Sequence, residues 1–156
     1  MKTLTLFCCC LSISHFIFAQ NAIDIEIAQL DSIVNSKVWS KEKIPFLKKK
    51  IALSESYNDS IHIETIFYLA YYTRRSGWME ESEPIFYKAL NMQAELFGKE
   101  TKNYAEILSQ IGILYQTIGQ HDKVEDIHKE SLEIRAKVYS KASPEYAVGL
   151  NNLEYV

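Results

Sequence analysis

The chain has 156 residues, 47% of them hydrophobic and 24% charged, with a formal net charge of −3. That composition suits one folded domain and is too rich in apolar residues for a disordered tail. Both signs of charge are interspersed, and the longest like-charged run is Lys48-Lys49-Lys50; without a basic stripe to meet a phosphate backbone, no nucleic-acid partner is expected.

The first twenty residues stand apart. Lys2 is the only charge before Asp24, the stretch from Leu4 to Phe18 is mostly apolar, and Ala19 places a small residue before Gln20. A basic start, a short apolar core and a small boundary residue predict a signal peptide over residues 1–19, cleaved after Ala19, and hence a periplasmic or secreted chain. The apolar run is shorter than the roughly twenty residues of a spanning helix, so retention as an anchor is the lesser reading and no membrane span is expected after signal removal. Cys8, Cys9 and Cys10 all fall in this leader. A mature chain without them has no disulfide, thiolate metal site or cysteine nucleophile. A lipoprotein cleavage site does not fit, because bulky Phe7 precedes Cys8.

Next come two helix candidates, one marked by Ile23, Ile27, Leu30 and Ile33, the other by Ile44, Leu47, Ile51 and Leu53. Phe46 and Tyr57 weakly echo Phe86 and Phe97. Residues 20–60 therefore read either as a degenerate repeat or as an N-terminal capping helix pair.

From residue 61 onward the sequence matches itself at an offset of 42 residues. Gly77 pairs with Gly119, Glu83 with Glu125, Ile85 with Ile127, Leu90 with Leu132, Ala94 with Ala136, Tyr104 with Tyr146 and Leu108 with Leu150. A register held over a whole unit signals duplication, giving repeats at 61–102 and 103–144 and an incomplete one, first helix only, at 145–156. In the first, Ile66, Leu69 and Tyr72 mark one helix; a turn at Gly77-Trp78 follows, then Ile85, Phe86, Ala89, Leu90 and Leu96. Pro84 is expected in that helix's opening turn, where no intrahelical donor is lost.

In the second unit Tyr104, Leu108, Ile111, Leu114 and Tyr115 share one helical stripe, and Gly119 closes the helix in a left-handed conformation. Asp122 with Glu125 has capping-box spacing before a helix carrying Val124, Ile127, Ser131, Leu132, Ile134 and Val138. Ser143-Pro144-Glu145 restarts the pattern with an N-cap, a first-turn proline and an acid near the helix's positive end. No strand signal competes.

Leu108, Ile111, Gly112, Tyr115 and Gly119, with Leu69, Ala70 and Gly77 in the earlier unit, resemble the tetratricopeptide repeat. So do Phe86 and Ala89 with their counterparts His128 and Ser131. Thr73 stands where that family usually has an aromatic, and Ser82 and Val124 where it has alanine. The long spacing, with Leu132-Glu133-Ile134-Arg135 and Leu150-Asn151-Asn152-Leu153, is similar to the kinesin-light-chain variety. The resemblance implies an all-α fold, a right-handed superhelical solenoid of antiparallel helix pairs, whose first helices line a concave groove for a protein or peptide.

Carried over by position, the groove candidates are Glu64, Phe67, Tyr71, Arg74 and Arg75, then Glu106, Ser109, Gln110, Ile113 and Gln116, then Asn151, Asn152 and Tyr155. Tyr71 with Arg74 and Arg75 either clamps a carboxylate or simply places cations at a helix's negative end. His121 and His128 with Asp122 and Glu125 do not offer an i, i+4 pair on one face, so no metal is expected. Neither a phosphate-binding glycine loop nor a nucleophile elbow is present; no cofactor and no enzymatic activity are expected. The oligomeric state is open. The expected role is an exported binding scaffold. Its rival is the N-terminal repeat region of a larger exported signalling protein, such as a caspase-like (CHAT) protease or a sensor kinase. The rival rests on Val156 falling inside a helix, whereas a solenoid usually finishes with a polar capping helix.

Overall fold

The structure, a computed structural model, describes residues 19, 21–36, 40–54 and 59–154. The expected leader through Phe18 with its cysteines, Gln20 at the expected cleavage point, Tyr57, Tyr155 and Val156 lie outside the described residues. Every regular element among the described residues is an α-helix: α1 (21–35), α2 (Ser40–Ser54), α3 (Asp59–Arg75), α4 (Met79–Phe97), α5 (Lys102–Thr117), α6 (His121–Val138) and α7 (Pro144–Glu154). Turns of a few residues join α3 to α4, α4 to α5, α5 to α6 and α6 to α7, so these successive helices run antiparallel.

Two of these turns share one construction. Gly77 and Gly119 take positive φ, 88° and 76°. Around Gly119, the Gln120 N–H donates to the Tyr115 carbonyl and the Gly119 N–H to that of Gln116. Around Gly77, Trp78 donates to Thr73 and Gly77 to Arg74. Both pairs form the Schellman closure, which satisfies carbonyls the helix end would leave open.

One apolar cluster runs through α3 to α6, with Ile66, Phe86, Ala89, Ile111, Leu114 and Val124 at its centre. A second joins Val34, Ile44, Leu47 and Leu69, and Ile51 and Ile85 pack against both, so the core is continuous from α1 to α6. Ser82 and Val124, at the places where alanine is usual, are fully buried. Consecutive helices pack on each other; α3 also approaches α5, and α5 approaches α7, whereas the backbones of α2, α4 and α6 stay apart from one another. Helices that meet directly form the inner side of a curved stack. This is an all-helical repeat solenoid.

Several local expectations are corrected. The α1 stripe buries Val34 rather than Ile33, which is 37% exposed. Leu96 lies half outside the core, and Leu132 is only half-buried, leaning on Gly149 of α7. Pro84 is not in an opening turn: α4 starts at Met79, so the proline leaves the Glu80 carbonyl without its intrahelical donor. Because Pro84 is exposed, water can take that place. Asp122 and Glu125 make no capping box. The N-cap of α6 is Gln120 with no side-chain bond, and Glu125 pairs with Lys129 one turn on. The Ser143 cap forms as expected, its Oγ accepting from the Tyr146 N–H at 3.2 Å.

Tyr115 ties α5 to α4. Its hydroxyl donates to Glu83 at 2.6 Å and accepts from Tyr87 at 3.0 Å. Burial first, then these bonds, drive the phenol pKa far upward. Tyr115→Phe should cost about 1.5 to 3 kcal/mol, the range for a hydrogen bond to a charged acceptor; an unchanged urea midpoint would show the bond to be idle.

Candidate functional site

The inner face is built from α3 and α5, with α1 and α7 at either side. On α3 the ring of Phe67 stands edge-on to Tyr68 (centroids 5.4 Å apart) and Tyr68 stacks on Tyr72 at 6.3 Å. Tyr71 completes the ledge, 5.2 Å from Tyr72. Steps of one, three and four residues bring four aromatic rings together along one side of a helix.

Beside this ledge, between α3 and α5, lies a cleft of about 310 Å³ lined by Ser60, Ile63, Glu64, Phe67, Tyr68, Asn103, Glu106 and Ile107. Glu64, Phe67 and Glu106 were expected here and the structure brings them together. Tyr68 was not among the expected residues. The repeat register that placed Gln110 on the groove places Tyr68 at the same point one unit earlier.

A polar chain crosses the inner face. Arg74 donates to Gln110 Oε1 at 2.9 Å, Gln110 donates to Glu106 Oε1 at 3.1 Å, and Arg135 binds Glu106 Oε2 at 2.6 Å. Arg135 is 3% exposed and also donates to Ser109 Oγ and to the Glu145 carbonyl, so one guanidinium joins α5, α6 and α7. In the sequence Arg135 stands out only as the end of Leu132-Glu133-Ile134-Arg135. Its isolated charge among apolar packing positions was the signal that could have found it.

Ser109 is displaced from the expected surface. At 2% exposure it bonds Ser131 at 2.8 Å, beneath Arg135, out of reach of a partner lying in the groove. Arg74 and Arg75 flank the Tyr71 ring, 5.6 and 5.8 Å from its centroid. Both sit in the last turn of α3, where cations favour the dipole. Arg74 is half-buried, and desolvation pulls its pKa down, while Arg75 is exposed. Ile113 and Gln116 are partly buried further along α5; on α7 Asn151 is exposed and Asn152 partly buried. His121 is exposed at the start of α6 and His128 is buried, so the structure does not bring them together as ligands. Among the described residues no group of three His, Cys, Asp or Glu side chains is placed to hold a metal ion. No helix among the described residues is long and apolar enough to cross a membrane.

Stacked antiparallel helix pairs with an inner face lined by alternate helices define a helical-repeat protein. Residues 62–153 match the family model for the tetratricopeptide repeat, and the chain belongs to that family, a fold that serves as a scaffold for protein interaction. Similar solved structures include BtubC (BKLC) from P. vanneervenii, at a TM-score of 0.72 and 18% identity. A Podosopora anserina protein described as a kinesin light chain with nearly identical TPR-like repeats matches at 0.69 and 14%. The alignments cover 89% and 86% of this chain, which spans 56% and 64% of those two proteins. At these identities the likeness is one of fold, and that fold is kinesin-light-chain-like. No curated protein sequence matches.

Proposed function

We propose that the chain is an exported scaffold that binds a protein or peptide on its inner face. What carries this reading is the aromatic ledge of Phe67, Tyr68 and Tyr71 beside an open cleft. Tyr68 is a large ring left 39% exposed at the edge of that cleft. The polar chain from Arg74 to Arg135 fixes the side chains around the ledge in advance, which lowers the ordering cost of binding.

A peptide array probed with the chain tests the surface. Tyr68→Ala and Arg75→Ala, on the inner side, should each weaken binding about tenfold, the order found for interface anchors; Lys88→Ala and Glu95→Ala, exposed on α4, should leave it unchanged. Equal effects on both sides would remove the inner face from consideration. Export, which rests on residues 1–19, is read separately by N-terminal sequencing of the mature chain. A first residue of Gln20 is expected, and a retained Met1 would refute cleavage.

A further inference from the structure

The cleft between α3 and α5 separates its chemistry by position. Ile63, Phe67 and Ile107 make it apolar, Glu64 and Glu106 are the charged residues lining it, and no lysine or arginine does so. Nearby cations are already engaged: Lys50 with Asp31, Arg74 with Gln110 and Arg135 with Glu106.

The two carboxylates differ in a useful way. Glu106 is held at both oxygens, by Gln110 and Arg135, and so is fixed in place. Glu64 is exposed and has no ion pair among the described residues. Between them stands Tyr68, whose phenol is pushed up by burial first and then by Glu64, Tyr72 and Glu106, keeping a neutral ring beside negative charge. Glu64 and Tyr68 also border a second cleft of about 440 Å³ toward α1 and α2, so the ledge is open on both sides.

We propose that this cleft receives a lysine or arginine side chain from an extended partner peptide. The proposal rests on the inner-face reading above and adds the partner's chemistry. The methylene stem lies on Ile63, Phe67 and Ile107, and the cationic head reaches Glu64 and the outer side of Glu106, next to the Tyr68 ring. A long side chain with an apolar stem and a charged tip matches an apolar cleft rimmed by carboxylates, and a cation gains further from the face of an aromatic ring. An acidic side chain placed there would meet Glu64 with no cation in the lining to offset the repulsion.

The test uses the full chain and three pools of fluorescent nonapeptides with the same randomised flanks of Ala, Leu, Ser and Asn. The pools differ only in the central residue: Arg, Gln or Glu. By fluorescence anisotropy the Arg pool should bind about fivefold more tightly than the Gln pool, the upper end for an exposed ion pair, and the Glu pool most weakly. Glu64→Gln should abolish the Arg preference, and Glu64→Arg should transfer it to the Glu pool. Because Glu64 is exposed, both variants should melt with the wild type. If the pools bind equally, or Glu64→Gln leaves the preference intact, while Tyr68→Ala still removes binding, the cation proposal falls and the inner-face reading stands. If no pool binds, or Tyr68→Ala has no effect on those that do, both fall together.

Discussion

Replacing Gly112 with alanine should destabilise the chain by about 3 kcal/mol, the upper part of the range for overpacking a core, and lower its melting temperature by roughly 10 °C. Gly112 is buried on α5 against α6, and a methyl group built there would sit 2.3 Å from His128 Cε1 and 2.7 Å from both ring nitrogens. The obstacle is a ring enclosed at 1% exposure, which has no free end to swing away. Gly149 gives the contrast, since its added methyl would meet the flexible tip of Leu132 at 2.9 Å, and Gly149→Ala should cost much less. A double-mutant cycle isolates the cause. Gly112→Ala combined with His128→Ala should lose markedly less than the two single losses added together, because the second change removes what the first collides with. Simple additivity would mean that the ring is not the obstacle.

The second large effect is on acid stability. Neither nitrogen of His128 has a hydrogen-bond partner among the described residues, and both are buried. Burial lowers the pKa of this imidazole from its ordinary 6.5. The sign follows directly. Above the unfolded value both states are neutral at this position and stability is flat. As pH falls below 6.5 the unfolded chain takes up a proton that the folded one refuses. Stability then drops by about 1.4 kcal/mol per pH unit until the lowered folded pKa is reached. His128→Phe, which places the same residue type here as at Phe86, should remove that part of the acid loss and melt higher than the wild type below pH 6. The comparison is made from wild-type and variant melts across pH 4.5 to 8. Parallel curves would show that His128 is protonated as easily in the fold as outside it.

His128 shows how much of this architecture could be read from sequence. Its place opposite Phe86 in the repeat register predicted burial, and it is buried. That register located the helix pairs because duplication copied their punctuation: Gly77 and Gly119 close helices in the same way, and Ser143 opens one. What failed were features decided by neighbours rather than by position. Asp122 and Glu125 have the spacing of a cap, but the helix begins two residues too early for them to use it. Ser109 occupies the place of Phe67, yet the smaller side chain lets the surface close over it. In the first repeat the partner places hold Ala89 and Gln93; in the second they hold Ser131 and Arg135, and Arg135 lies over Ser109. A periodic pattern predicts which face a residue occupies. It does not say which side chain on that face ends up on top.

The inner helices approach each other closely while the backbones of the outer ones stay apart, and this has a mechanical consequence. Each helix is stiff along its axis, so bending concentrates where successive pairs meet, at the α3–α5 and α4–α5 contacts. The easiest deformation is therefore a flexing of the arc, in which the inner seam acts as a fulcrum and the outer helices fan apart or draw together. A small angular change at the α3–α5 seam alters the width of the cleft without unpacking either pair. Curvature of the stack and width of the cleft are then one coordinate.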